Sequence, residues 1–200
     1  RLLPIFLCLA LLQVAGAQQT DITIQVTGLK SPFVVFGYFL GGKAYRVDSV
    51  SLDNQTGTYR LQKAGLQAGQ YFCSGDNGKL FDFMLPHAND SFSIHADLNR
   101  LDSVWAINST ENETFFRFEQ RRKAVEGMFE AKRSMRTMVA QATKNDPEAL
   151  KPIEKEMQVL LKITDSLALD FVAKNPEHLF AKMLRSVRPP EPPGNLKPVL

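Results

Sequence analysis

Cysteine, histidine and long apolar runs are all scarce in this sequence, and each shortage excludes a class of function. Only two cysteines occur, Cys8 and Cys73. Cys8 falls in a leader-like segment, so the processed chain has no partner for a disulfide. No Cys-x-x-Cys is present, which removes the attacking and resolving thiols that dithiol exchange requires. The three histidines, His87, His95 and His178, stand at spacings that match no zinc motif. His95 and Asp97 alternate on an expected strand and would share a face, an arrangement common on exposed strands. A nucleophile elbow and a phosphate-cradling glycine loop are also missing. No catalytic set, metal site or cofactor site is therefore expected. The formal net charge of +3 is too small for a nucleic-acid footprint. No apolar run reaches the roughly 20 residues that span a bilayer, so the chain is not expected to cross a membrane by a helix.

What is present begins with an export signal. Residues 2–12 are almost wholly apolar, Arg1 flanks them, and Ala15-Gly16-Ala17 precedes Gln18. This pattern predicts a signal peptide over 1–17 and a periplasmic or cell-envelope product. No cysteine follows the small-residue site, which argues against a lipid anchor. Cys73 lies in Gln70-Tyr71-Phe72-Cys73-Ser74, an alternating stretch in which a lone cysteine packs as core. The first residue is Arg and the last five are Leu196-Lys197-Pro198-Val199-Leu200, so the sequence reads as an excerpt of a longer protein.

Residues 18–108 alternate with period two between turn signals. Strands are expected at 22–26, 33–40, 44–52, 58–62, 70–74, 80–85, 91–96 and 103–107. Asn54-Gln55-Thr56-Gly57 and Asp76-Asn77-Gly78 supply residues that tolerate the positive φ of tight hairpins. Ser74-Gly75-Asp76-Asn77-Gly78 lacks the further carboxylates of a calcium loop and reads as a plain turn. The alternation predicts an antiparallel β-sandwich or compact barrel, and α+β as the class of the whole chain.

From Thr110 the period becomes 3.6, and 109–188 reads as a helical region. Thr110 with Glu113 forms a capping-box pattern. Phe118, Val125, Met128, Met135, Val139 and Ala142 supply the expected buried stripe of a long first helix. Asn145-Asp146-Pro147 ends it and opens a second. Leu150, Ile153, Met157, Leu160, Thr164, Leu167 and Phe171 then recur three and four apart, which predicts an antiparallel helical hairpin. Asn175-Pro176 introduces a short third helix over 178–187. The proline-rich residues 189–200 read as a linker to a further domain. Residues 117–136 hold seven basic and three acidic side chains; this reads as a solvated face with pairs such as Glu119–Lys123, and alternatively as a dock for an anionic partner.

The order of Asp48-Ser49-Val50-Ser51-Leu52-Asp53, Gly57-Thr58-Tyr59, Leu66-Gln67-Ala68-Gly69-Gln70-Tyr71, Ser109-Thr110-Glu111-Asn112-Glu113 and Asn175-Pro176-Glu177-His178-Leu179-Phe180-Ala181-Lys182 resembles a known arrangement. It is similar to the N-terminal region of Bacteroidetes envelope proteins that carry a C-terminal thioredoxin-like domain of the TlpA or ResA thiol-disulfide oxidoreductase type. The resemblance implies a non-catalytic accessory region whose partners are its own thioredoxin-like domain and envelope proteins. It departs from that family's chemistry in having no Cys-x-x-Cys. It also implies O-glycosylation at Asp-Ser-apolar sites, with Ser49 and Ser103 as acceptors; Asp165-Ser166-Leu167 fits the pattern but sits mid-helix. Four Asn-x-Ser/Thr sequons begin at Asn54, Asn89, Asn108 and Asn112, and a bacterial host leaves them unmodified. A second reading, from a different class, is a free-standing module that holds a glycan or peptide through aromatics such as Phe33, Phe36, Tyr38, Phe81 and Phe83. Two or three rings exposed together would favour it.

Overall fold

The computed structural model describes residues 19–40, 42–100 and 103–187. The expected leader at 1–17 and linker at 189–200 lie outside the described residues. The class is α+β: eight strands in one curled sheet, followed by three helices. The strands are β1 (Thr20–Thr27), β2 (Phe33–Leu40), β3 (Lys43–Asp53), β4 (Thr58–Lys63), β5 (Gly69–Gly75), β6 (Gly78–Leu85), β7 (Ser91–Asp97) and β8 (Val104–Ile107). The helices are α1 (Thr110–Ala142), α2 (Pro147–Lys174) and α3 (Leu179–Val187).

Two features of the sheet bear on the expected antiparallel sandwich or compact barrel, and the second corrects its all-antiparallel pairing. All eight strands follow one hydrogen-bonded series, β6-β5-β2-β3-β4-β1-β7-β8. The long β3 makes this continuous, pairing with β2 from Lys43 to Ser51 and with β4 at Leu52 and Asp53. Secondly, β1 pairs with β7 in parallel, with Ile22 opposite Phe92 and Ile24 opposite Ile94. Side-chain alternation fixes which face is buried but is blind to strand direction, and a long enough crossover permits parallel pairing. Here five intervening strands supply that crossover.

The inward rows of these strands build the main core. Ile22, Ile24, Val34, Phe36, Cys73, Phe83 and Ile94 are fully buried within it. Tyr59 is buried with them and donates its hydroxyl to the Ser31 carbonyl at 2.6 Å. Asp76 and Asn77 form the two-residue turn between the paired Gly75 and Gly78, and Gly78 takes a φ of 109°, which favours glycine.

α1 starts one residue earlier than the capping-box reading places its cap. Ser109 is the N-cap, and its hydroxyl accepts from the Asn112 N–H at 3.3 Å and from Asn112 Nδ2 at 2.9 Å. Asn108, at φ 64°, turns the chain into this position. Asn112 is fully buried and reaches the sheet: Oδ1 accepts from the Met84 N–H at 2.7 Å, and Nδ2 donates to the Met84 carbonyl at 2.8 Å.

The buried face of α1 also differs from the expected stripe. Phe118 and Val125 are buried as expected, but Met128 and Met135 are exposed. The covered face instead runs Phe118, Arg122, Val125, Phe129, Lys132, Arg136, Val139. Polar heads sit in this face because α2 supplies carboxylates: Arg136 bonds Glu154 at 2.7 Å, and Lys132 pairs with Glu156. Likewise Glu119 pairs with Arg122 at 2.8 Å rather than with Lys123. On α2 the residues expected to be covered are so, with Leu150, Ile153 and Phe171 buried. Asp146 caps α2 by accepting from the Glu148 N–H at 3.1 Å, with Pro147 in the first turn.

A second cluster forms where α1, α2 and α3 meet. Phe180 stands 4.9 Å from Phe115, 5.3 Å from Phe118 and 5.2 Å from Phe171, centroid to centroid. Phe115 in turn meets Phe116, which is edge-on to Phe81 of the sheet. Aromatic contact is thus continuous from β6 to α2. Glu111 adds a polar tie by accepting from the Phe180 N–H at 3.0 Å.

Candidate functional site

A concave feature with uncharged polar and aromatic groups lies at the β2–β3 tip. Tyr38 and Tyr45 are cross-strand partners, and their rings stack at 5.4 Å and 20°. Tyr71 of β5 continues the row at 6.0 Å from Tyr38 and stacks on core Phe83 at 5.8 Å. The segment before β5 forms the other wall, leaving a cleft of about 330 Å³ lined by Tyr38, Leu40, Val47, Gln67, Gln70 and Tyr71 among others. The Tyr71 hydroxyl donates to the Gln67 carbonyl at 2.7 Å, which pins that wall to the sheet. Burial raises the Tyr71 phenol above its ordinary pKa, so it stays neutral at physiological pH.

A local bulge positions this tip. The β2–β3 register shifts between Phe36 and Gly37, which re-aims the strand end. At Gly37 a Cβ would come within 2.2 Å of the Phe72 ring and 2.7 Å of the Tyr45 carbonyl. Only glycine leaves Phe72 room to pack on Phe39 at 5.0 Å. Phe39 and Tyr45 are 41% exposed and Leu40 is 63% exposed, so this tip shows aromatic surface to solvent. No described residue lining the cleft carries a charged side chain. Phenol and amide groups beside aromatic faces suit a neutral, hydroxyl-rich or amide-rich ligand.

Of the aromatics singled out from sequence, Tyr38 belongs to this cleft, Phe33 is exposed elsewhere on β2, and Phe36, Phe81 and Phe83 are core. Sequence reasoning passed over Phe39, Tyr45 and Tyr71. The available signal was symmetry about Gly41-Gly42, which sets Tyr38 opposite Tyr45 in any tight hairpin.

Cys73 is fully buried, and burial pushes its thiol up to about 12. Such a thiol is a poor nucleophile and a poor ligand. His87 is exposed with Nδ1 3.4 Å from Asp90, and His95 stacks on Trp105 at 5.3 Å. Asp97 accepts from the Asn99 N–H at 2.9 Å within its own turn, apart from any His95 chemistry. His178 Nδ1 lies 3.5 Å from Glu111. Among the described residues no group of three or more His, Cys, Asp and Glu converges on one point, and no helix is long and apolar enough to cross a membrane.

Ser49 is half-buried on β3, and its N–H donates to Asp48 Oδ1 at 2.8 Å. Ser103 is half-buried just before β8, while the Asp102 of its motif lies outside the described residues. Ser166 is on α2 and donates to the Lys162 carbonyl at 2.8 Å. Of the four sequon asparagines, Asn54, Asn89 and Asn108 are exposed and Asn112 is buried. Comparison of the chain with protein-family models, curated proteins and solved structures gives no match.

Proposed function

We propose that this chain is an exported, non-catalytic accessory region of a thioredoxin-like thiol-disulfide oxidoreductase of the bacterial envelope. In this reading the curled sheet serves as a sandwich-like platform and α1 with α2 as an antiparallel hairpin arm. Together they orient a redox domain borne elsewhere on the parent polypeptide. The observation that carries the reading is the joint: Asn112 is bonded to both backbone groups of Met84, and Phe180 links the rings of both cores. A buried polar knot and an interdigitated aromatic cluster resist hinging, as a bracket must. The inertness of Cys73 agrees with thiol chemistry residing elsewhere.

The parent gene tests this most directly. A thioredoxin-like domain with Cys-x-x-Cys in the same polypeptide is expected, and its absence refutes the redox connection. The purified chain should catalyse no insulin reduction by dithiothreitol. Cys73 should resist aromatic disulfide reagents at pH 8 until the fold is denatured. Turnover by the chain alone, or prompt labelling of the native thiol, overturns the assignment.

The cleft at Tyr38 and Tyr71, with Tyr45 stacked on Tyr38, supports a second reading, a binding module for a glycan or peptide. The specific observation is its uncharged lining beside exposed aromatic surface. Screening neutral oligosaccharides and uncharged peptides against the chain and against Tyr38→Ala tests it. Binding lost in the variant with an unchanged melting temperature supports the module, and no binding by the parent rejects it.

A further inference from the structure

The basic run on α1 is sorted by the fold into paired and unpaired cations. Arg122 is held by Glu119 at 2.8 Å and Glu126 at 3.1 Å, Arg133 by Glu130 at 3.4 Å, and Arg136 by Glu154 at 2.7 Å; Lys132 pairs with Glu156. Arg117, Arg121 and Lys123 make no ion pair among the described residues. All three lie in the first half of α1. Arg117 and Arg121 are one turn apart on the same side, and both overhang a cleft of about 310 Å³ between α1 and α2.

The floor of this cleft is apolar: Phe118 and Phe171 meet edge to face at 5.1 Å, with Leu167 beside them. Its remaining charges are Lys174 and Asp170, which neutralise each other at 2.9 Å. The Arg117 guanidinium spends one N–H on the Thr114 hydroxyl at a long 3.5 Å. Two guanidinium groups therefore line a cleft with an aromatic floor whose one carboxylate, Asp170, is engaged by Lys174. Such groups match the two oxygens of a carboxylate or phosphate, and the floor matches a flat apolar group.

We propose that this cleft binds an amphiphilic anion, with a carboxylate or phosphate head between Arg117 and Arg121 and an aromatic or aliphatic body on Phe118, Phe171 and Leu167. The site lies on the helices, away from the tyrosine cleft, and depends on neither functional reading above. Four probes separate its parts in titration calorimetry on the full chain at low salt: benzoate, phenyl phosphate, benzyl alcohol and inorganic phosphate. The two aromatic anions are expected to bind at least tenfold tighter than benzyl alcohol or inorganic phosphate. The stronger of the two identifies the head group. Arg117→Gln with Arg121→Gln should weaken them at least tenfold, while Lys123→Gln leaves them unchanged.

Amide and aromatic NMR shifts in the unmutated chain give a readout that does not depend on variant folding. Shifts should centre on residues 117–121 and on Phe171. No binding by either aromatic anion, equal binding of benzyl alcohol, an equal loss in Lys123→Gln, or shifts confined to the sheet would each overturn the proposal.

Discussion

The sheet and the helical arm achieve order by different means. In the sheet, Ile22, Ile24, Phe36, Phe83 and Ile94 are fully buried, so removal of apolar surface from water dominates. On α1 no side chain beyond Val125 is buried, and Met128, Met135 and Met138 are 45–63% exposed. A helix of 33 residues extends about 50 Å, and its distal half meets α2 through a narrow apolar seam and cross-helix ion pairs. Exposed pairs contribute little each, about 0–1 kcal/mol. The arm is therefore the less stable unit and draws its order from its root.

The largest blow to this contrast comes from the sheet core. Phe83→Ala removes a ring that meets Phe36, Tyr71 and Phe92, and should cost about 3–5 kcal/mol in urea unfolding. Sheet and arm should be lost together, because the arm has no other base. Asn112→Ala comes next. It leaves the Met84 N–H and carbonyl without their partners, at a cost of about 2–4 kcal/mol for the two groups. Hydrogen exchange should quicken in the first turns of α1 and in β6.

Leu160→Asp puts a charge into the half-buried seam of α2 and should cost the arm about 2–3 kcal/mol. Far-UV circular dichroism should lose helical signal while the fluorescence of Trp105, on β8, holds. An unchanged spectrum and melting temperature would refute the α1–α2 pairing. The smallest effect concerns acid. Arg60 donates to Asp21 at 2.9 and 2.5 Å and holds its carboxyl below the usual range. The stability from this pair is present above the unfolded carboxylate pKa, about 4, and fades as pH falls through the lower folded value. Arg60→Gln should flatten the acid limb below about pH 4 and change little at pH 7.

What could be read in advance follows the same division. All eight strands were legible because period-two alternation and Asn, Asp or Gly turns report local geometry. The α2 seam was legible because its covered positions are nearly all apolar. The α1 seam was not, since Arg122, Lys132 and Arg136 occupy covered positions through carboxylates, two of them on α2, while three methionines face solvent. Direction was equally silent: nothing in Ile22, Ile24 and Val26 says that β7 runs parallel beside them. The cap at Ser109 was hidden by the stronger-looking Thr110 and Glu113 pair, and the cleft by Tyr38 and Tyr71 lying in different strands.

Asn112 does more than fasten a helix. β6 is the last strand of its series, and an outermost strand is an open template on which another polypeptide can add. The carboxamide, accepting from Met84 N–H and donating to its carbonyl, imitates a single residue of a neighbouring strand. It occupies that rim at Met84 from within the same molecule. Loss of this side chain should therefore make the protein prone to concentration-dependent stacking into fibrils, even where enough native fold remains to be purified.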